Sequence, residues 1–339
     1  MVETDWTPPE LLKMAGSYWS ACTLHAGVKL DLFTLLSETP ATAEDLSTQS
    51  GLSERGLTML LDALASLDLL QKKKGVYFTT AFSSEFLSKT SVKYMGHIIF
   101  HHHHLVESWS RLDVSVLSGK PVRNRLSHEP SDGERESFLM GMFNMAMLMA
   151  PMVVPKIDLT DRSHLLDLGG GPGTYAIHFC IHNPSMKATI YDLPATRQFA
   201  KQTISRFSMQ QRIDFQSGDF QDDVIVGQYD VAWLSHVLHG EGEEGCFNML
   251  QKSVAALEPG GLLLVQEFIL DEDRTKPVFP ALFSLNMLLG TPNGKAYSES
   301  EIILLLQKAG LESVERLPID LPNGAGVICG RANNDCRLK

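Results

Sequence analysis

The sequence predicts an α/β protein, a mostly parallel sheet with helices on both faces, preceded by a smaller and mainly helical module. Three observations carry this. The stretch Leu165 to Thr174 is an apolar run that meets a carboxylate and a glycine cluster, and a helix-like segment, Tyr175 to Ile181, follows it. From 163 onward, strand-like and helix-like segments alternate, as parallel sheets require. The first 80 residues instead show helical spacing and then a hairpin-like segment. A length of 339 residues suits more than one domain. The expected division is a dimerisation module over 1–110, a helical linker over 111–160 that contributes to a pocket, and a ligand-binding domain over 161–339.

Composition narrows the class. An apolar fraction of 44% with 20% charged residues describes a soluble globular chain. No run of 18 apolar residues is read, so no membrane span is expected. The acidic N-terminus lacks the apolar core of a secretory signal. Five scattered cysteines without CxxC spacing read as reduced thiols, and hence as a cytoplasmic protein. A net charge of −11 argues against nucleic acid or an anionic membrane as partner.

Along the N-terminal module, Leu11, Leu12, Ala15, Tyr18, Trp19 and Cys22, then Leu30, Leu32, Phe33 and Leu36, recur at helical spacing. Thr42 and Asp45 form a capping-box-like start to a short helix. Gly51 turns the chain, and Ser53 caps a second helix of about 54–69. Lys72 to Thr80 reads as a hairpin wing, with Lys72–Lys74 as a solvated turn. This order is that of a winged helix. Its second helix offers Arg55 against Asp62 and Asp68, and residues 1–100 hold eight Lys/Arg against eleven Asp/Glu. A reader of duplex DNA needs several phosphate-facing cations, so packing against a second subunit is the better reading. His101 to His104 fall in a helical context, where consecutive side chains diverge, so no metal site is expected of them. Residues 119–137 read as a loop. The Met-rich stretch 138–152 reads as a helix that is mostly core, with part of it facing a pocket.

In the C-terminal domain, strands are expected at 164–168, 187–191, 213–216, 229–234 and 261–267. Ligands of such sheets bind at the carboxyl ends of the strands. Asp167, Asp192, Asp219, the 235–241 segment and Glu267 all stand at those ends. Asp192 can accept from both ribose hydroxyls, Asp219 from an adenine amino group, and Phe220 can pack on the ring. His236 lies one turn from His239 and could join it with Glu267 around a metal; the expected metal content is nevertheless none.

The glycine spacing selects the ligand. A dinucleotide fingerprint needs its third glycine at position 174, which is Thr, and this disfavours a nicotinamide oxidoreductase. Gly169, Gly171 and Gly173, two residues behind Asp167, resemble motif I of class I S-adenosylmethionine-dependent methyltransferases, a Rossmann-like fold. Further segments resemble two-domain small-molecule O-methyltransferases, the family of plant phenolic and acetylserotonin O-methyltransferases: Phe143–Met147, Asp192-Leu-Pro194, Gly218-Asp-Phe220, Val237-Leu-His239 and Ser284–Leu288. The resemblance spans nearly the whole chain. It implies a winged-helix homodimerisation domain, S-adenosylmethionine as cofactor and S-adenosylhomocysteine as product. It also implies His239 as general base and Glu267 as the residue that orients it.

The implied cofactor contacts are Asp167, Gly169, Gly171, Gly173, Asp192, Leu193, Asp219, Phe220, Ser235 and Met147. The implied pocket for a small aromatic or polyketide-like acceptor is Met142, Phe283, Asn286 and Met287, with Met147 near it and Tyr18 or Trp19 added by a second subunit. Three positions depart from the family pattern. Gly240-Glu241 replace Asp-Trp, Ser235 replaces a cofactor-holding Lys, and Ala296 replaces a second orienting Glu. These departures keep open C- or N-methylation, or other chemistry of the same cofactor. A winged-helix ligand-sensing regulator is the remote alternative.

Overall fold

The computed structural model describes residues 6–125 and 132–333. It divides into two compact units, Met1–Leu105 and Val106–Lys339. The boundary falls inside the helix Gly96–Trp109, a few residues before the expected 110/111.

In the first unit, three helices, Pro8–Ala15, Tyr18–Lys29 and Leu32–Glu38, occupy the stretch whose spacing is helical. The Thr42/Asp45 capping box is formed: Thr42 Oγ1 accepts from Asp45 N, and the Asp45 carboxylate accepts from Thr42 N at 3.0 Å. Gly51 turns at φ 72°, and Ser53 caps Glu54–Ser66 through Gly56 N. Strands β1 (Leu70–Lys73) and β2 (Val76–Thr79) pair antiparallel. They meet at Lys74-Gly75, both at positive φ, the backbone of a type I′ hairpin. Lys72 is exposed, as a solvated residue should be, but it lies on β1 rather than in the turn; its Nζ is 2.6 Å from Asp62 Oδ1, and the same carboxylate accepts from Tyr77 OH. Leu32, Phe33, Leu36, Leu57, Leu61, Leu64 and Tyr77 form the core of this unit.

The second unit is built on one sheet. Its strands are β3 (His164–Leu168), β4 (Lys187–Asp192), β5 (Ile213–Ser217), β6 (Tyr229–Ser235), β7 (Leu257–Leu270), β8 (Tyr297–Ser298), β9 (Leu311–Arg316) and β10 (Ala325–Ala332). The order is β5-β4-β3-β6-β7-β10-β9, with β8 on β7. The strands from β5 through β7 run parallel, and β10 is antiparallel to both neighbours. Register sets the site. Leu168 pairs with Tyr191 and Leu234, Asp192 with Ser217, and Ser235 with Gln266. The residues just past that row, on neighbouring strands, therefore share one edge.

Two apolar layers sandwich the sheet. Trp233 on β6 is fully buried, its ring centroid 5.0 Å from that of Tyr175 and 5.1 Å from that of Phe179. Each such large side chain contributes about 1.5–3 kcal/mol on burial.

Two expectations are corrected here. The loop read over 119–137 ends sooner, because a helix starts at Asp132 and runs to Val153; residues 126–131 lie outside the described residues. Asp132 and Glu134 belong to its first turn, where negative charge favours the helix dipole. By length and composition, Asp132–Lys156 is also apolar enough to cross a membrane, contrary to the reading that no such run exists. In this fold Ala146, Met149, Ala150 and Val153 pack it against the core of the sheet.

Candidate active site

The glycine loop is shaped by backbone conformation and close approach. Gly169, Gly171 and Gly173 have φ of 64°, 55° and 82°, the left-handed region where a Cβ is strained. A Cβ at 169 would lie 2.6 Å from Val237 Cγ1, and one at 173 would lie 2.2 Å from Ile190 Cδ1. Gly170, which the spacing argument passes over, is equally constrained: a Cβ there would sit 2.6 Å from Asp167 Cγ. At Gly171 the Cβ direction is open.

Asp167 lies beneath this loop. It is 1% exposed, and its Oδ2 accepts from Ala176 N at 3.1 Å, so it ties the loop to the helix Thr174–His182. Burial pushes its carboxyl up to about 7, against the lowering effect of that one donor. Asp192, at the end of β4, accepts from Gly171 N (2.8 Å), Leu193 N (2.7 Å) and Thr196 Oγ1 (3.0 Å). Desolvation still raises its pKa. Asp219 follows β5, and its Oδ1 accepts from Gln221 N. The Phe220 ring lies 3.7 Å from where a Gly169 Cβ would be. Loop, Asp192, Asp219 and Phe220 thus converge on one crevice.

The second half of the site begins where β6 ends. His236 takes φ 56°, a conformation uncommon for a side-chain-bearing residue, and its N–H donates to Gln266 O at 2.8 Å. A short 3-10 turn, Leu238–Gly240, follows, anchored by the fully buried Leu238. This presents His239 to Glu267. His239 Nδ1 is 2.8 Å from Glu267 Oε2, and His239 N donates to Oε1 at 3.2 Å. Glu267 is 1% exposed and lies three residues inside β7, which runs on to Leu270 rather than ending at 267. Burial opposes ionisation of Glu267. The attraction between the carboxylate and the His239 imidazole, which donates to it, with His236 close by, overrides it and holds the carboxyl well below its usual range.

His236 Nδ1 is 3.5 Å from Glu267 Oε2, an ion-pair distance too long for a good hydrogen bond; its Nε2 is 3.2 Å from Gln266 Nε2. A ring nitrogen facing an amide NH₂ acts as acceptor, which puts the His236 proton on Nδ1. Ligand-type atoms of His236, His239 and Glu267 lie within 4.8 Å of one another. The hydrogen bonds and ion pair account for that convergence.

An aromatic wall flanks the imidazole. The Phe283 ring stands edge-on to His239 at 4.7 Å, Phe268 is 5.0 Å from Phe283, and Phe279 stacks on Phe283 at 6.0 Å. Phe268 and Phe279 were not legible as site residues, although Phe279 lies four residues before Phe283 on the helix Val278–Gly290 and so on the same face. Asn286 and Met287 are buried on this helix. The Asn286 carbonyl and Oδ1 both accept from Arg123 Nη2. Met142 and Met147 are half-buried on Asp132–Val153, and Ser235 is half-buried at the end of β6. None of these three is drawn into the His239–Glu267 hydrogen bonds.

The departures from the family pattern have local partners. Glu241 Oε1 accepts from Arg125 Nη2 at 2.5 Å, and a Cβ on residue 240 would lie 2.8 Å from that same nitrogen. Gly240 and Glu241 therefore belong together. Ala296 is buried, its N–H donating to Ser284 Oγ.

A crevice at the reversal of strand order, floored by left-handed glycines and facing a His–Glu pair, defines an S-adenosylmethionine-dependent methyltransferase. Comparison with known proteins makes this specific. Residues 124–312 match the O-methyltransferase domain family, and residues 12–89 match the O-methyltransferase dimerisation domain. Among the relatives is 3-hydroxy-5-methyl-1-naphthoate 3-O-methyltransferase of Streptomyces sahachiroi, 31% identical over 95% of each chain. Human acetylserotonin O-methyltransferase is 31% identical, covering 89% of this chain and 91% of its own. The crystal structure of human N-acetylserotonin methyltransferase with S-adenosylmethionine superposes with a TM-score of 0.86 at 28% identity, over 98% of this chain and 99% of that one. The chain belongs to the O-methyltransferase family and is an S-adenosylmethionine-dependent enzyme.

Proposed function

We propose that this enzyme methylates a hydroxyl of a small aromatic or polyketide-like acceptor, with His239 as general base and Glu267 as its orienting partner. The observation that carries the reading is the 2.8 Å contact between His239 Nδ1 and Glu267, beside the Phe283 ring. With Nδ1 committed to the carboxylate, Nε2 is the nitrogen left to receive a proton. Relatives that act on a hydroxynaphthoate and on acetylserotonin support an aromatic acceptor.

When bound, the cofactor supplies an activated methyl group on a sulfonium. The residues that would hold it are the backbone at Gly169, Gly171 and Gly173, with Asp167 beneath. Asp192 and Leu193 would take the ribose side and Asp219 and Phe220 the adenine side, with Ser235 and Met147 nearby. Phe283, Asn286, Met287 and Met142 would line the acceptor pocket. A phenol of pKa about 10 facing an imidazole of about 6.5 gives up its proton uphill, by roughly 5 kcal/mol in a separate step. Proton transfer from the hydroxyl to His239 would therefore accompany formation of the bond between the acceptor oxygen and the methyl carbon, the electron pair of the methyl–sulfur bond that breaks staying on sulfur. Glu267, ionised and buried, stabilises the imidazolium that results and fixes the ring tautomer. The aromatic wall excludes water and orients a flat acceptor.

The enzyme acts as a homodimer in this reading. Trp6, Leu12, Tyr18 and Trp19 are each more than half exposed in the first unit, apolar side chains that a partner subunit would cover. A cytoplasmic location follows from the thiols, and the 1–110, 111–160 and 161–339 division is retained as the functional layout. The test is a panel of hydroxylated aromatics with methyl-labelled cofactor, read by mass spectrometry. O-methylated product is expected. A protein that binds S-adenosylhomocysteine yet methylates no member of the panel sinks the acceptor class, and a monomer by light scattering sinks the assembly.

A further inference from the structure

Among the described residues, the Arg123 guanidinium is a cation without a carboxylate. Its Nη2 donates to Asn286 O and to Asn286 Oδ1, both at 3.2 Å, and its Nη1 makes one long bond, 3.4 Å, to Asn124 O. Its Nε is buried and has no partner. Among the described residues, no Asp or Glu lies within ion-pair distance of it, whereas its neighbour Arg125 pairs with Glu241. Burial lowers its pKa to about 10. The group is seated rather than dangling. A Cβ on Gly290 would lie 2.3 Å from the guanidinium, and Val122 N and Arg123 N both donate to Leu289 O.

Its place on the helix Val278–Gly290 gives it a direction. Phe279, Phe283, Asn286 and Gly290 recur at steps of four, three and four, which is one stripe of a helix. Phe283 on that stripe touches the His239 ring. At 1.5 Å per residue, Asn286 and Gly290 lie about 4.5 and 10 Å further along the axis. The guanidinium is held beside Asn286 and Gly290, on the stripe of the helix that Phe283 shares. A fused aromatic acceptor with its hydroxyl at His239 would extend along this stripe toward the cation. The carbonyls at the end of the helix occupy Nη2 and favour a positive charge, but they leave the charge itself unpaired. A desolvated cation is favourable only when an anion meets it.

We propose that Arg123 is a specificity residue of the acceptor site and takes a carboxylate on the aromatic acceptor, so that the preferred substrates are aromatic hydroxy acids. This rests on the aromatic-hydroxyl reading of the site and adds to it the charge of the substrate. Arginine suits the task because its planar fork matches a carboxylate, and a charge-assisted pair of this kind outweighs a neutral hydrogen bond.

The test uses the full chain loaded with S-adenosylhomocysteine and measures binding by calorimetry. The probes are 6-hydroxy-2-naphthoate, which carries hydroxyl and carboxylate at opposite ends of two fused rings, and its neutral methyl ester. The wild type is expected to bind the acid about tenfold or more tightly than the ester. In Arg123→Gln that preference should collapse toward one, and Arg123→Lys, which keeps the charge but not the fork, should lie between. S-adenosylhomocysteine affinity in each variant reports folding. An ester bound as tightly as the acid by the wild type overturns the proposal whatever the variants do, and so does a preference that survives in folded Arg123→Gln. Methyl transfer to the same two probes, measured separately with S-adenosylmethionine in place of S-adenosylhomocysteine, separates the two readings. An acid that binds through Arg123 but is not methylated supports this proposal and overturns the hydroxyl-transfer reading. Methylation of both probes without a preference for the acid does the reverse.

Discussion

The two halves of the crevice are built by different means. On the β3–β4 side, backbone does the work. Left-handed glycines, a buried Asp167 under the loop and Asp192 holding Gly171 N form a cradle with few alternatives. On the β6–β7 side, side chains do it. His239, Glu267, His236 and three phenylalanines meet from segments far apart in the chain. The first half fits a ligand that does not vary within the family. The second half carries every departure from the family pattern, including the Gly240/Glu241–Arg125 exchange. A fold can thus hold its glycine cradle fixed while the β6–β7 side, Ser235 at the end of β6 included, is rebuilt, because loop geometry and side-chain constellation are separable.

The sharpest way to break this division is to remove the base. His239→Ala should lower turnover at saturating cofactor by about 10²–10⁴ while leaving S-adenosylhomocysteine affinity little changed. Labelled methyl transfer and calorimetry read the two quantities separately. Turnover at the wild-type rate would show the base to be misassigned, and a parallel loss of cofactor affinity would show the halves to be coupled. Glu267→Gln should follow, with turnover falling about 10²-fold or more. The amide keeps the shape but no longer holds an imidazolium or fixes the proton on Nδ1. A variant with full activity would mean that Glu267 serves only to cap His239 N.

The unequal legibility of the two halves has the same origin. Strand periodicity, the glycine cluster and the carboxylates at strand ends are local signals, and β3 to β6 fall within a residue or so of where spacing puts them. The Thr42/Asp45 box and Ser53 cap were likewise readable, since caps act over three residues. Strands β8 to β10 were not read: β8 is two residues long, β9 is mostly exposed, and β10 is buried almost throughout, so none carries a clean alternation that separates it from loop. The start of a helix at Asp132 was hidden by its polar first turn. Glu267 and the 235–241 segment were placed at the binding edge by topology, but the roles of His239 as base and Glu267 as its partner were reached only through resemblance, since the contact joins positions 28 apart. Phe268, Phe279 and Arg123 were not reached at all: nothing in a phenylalanine or an arginine announces a neighbour brought up by sheet register or by a helix from elsewhere in the chain.

A change on the cofactor side should give the opposite split. Asp192→Ala removes the acceptor for Gly171 N, Leu193 N and Thr196 Oγ1 and frees the loop. The dissociation constant of S-adenosylhomocysteine should rise about 10–100-fold, the equivalent of one or two charge-assisted hydrogen bonds, with turnover at saturating cofactor largely kept. Loss of turnover without loss of affinity would reverse the roles assigned to the two halves.

The smallest effect concerns stability and sharpens what holds the cradle. Asp167 has its carboxyl raised by burial from the ordinary value near 3.8 to about 7. The folded chain therefore keeps this proton at pH values where the unfolded chain has released it. In that window the native state binds more protons, so stability falls as pH rises from about 4 toward 7. At higher pH the cost is complete, because the ionised carboxylate has, among the described residues, Ala176 N as its one donor. Asp167→Asn cannot ionise, and its amide oxygen still accepts from Ala176 N, so its pH profile should lose this slope. The comparison is a pair of chemical-denaturation series, wild type and variant, from pH 5 to 8. Parallel profiles would mean that Asp167 stays ionised in the folded protein and that the loop rests on a charge rather than on a neutral acid.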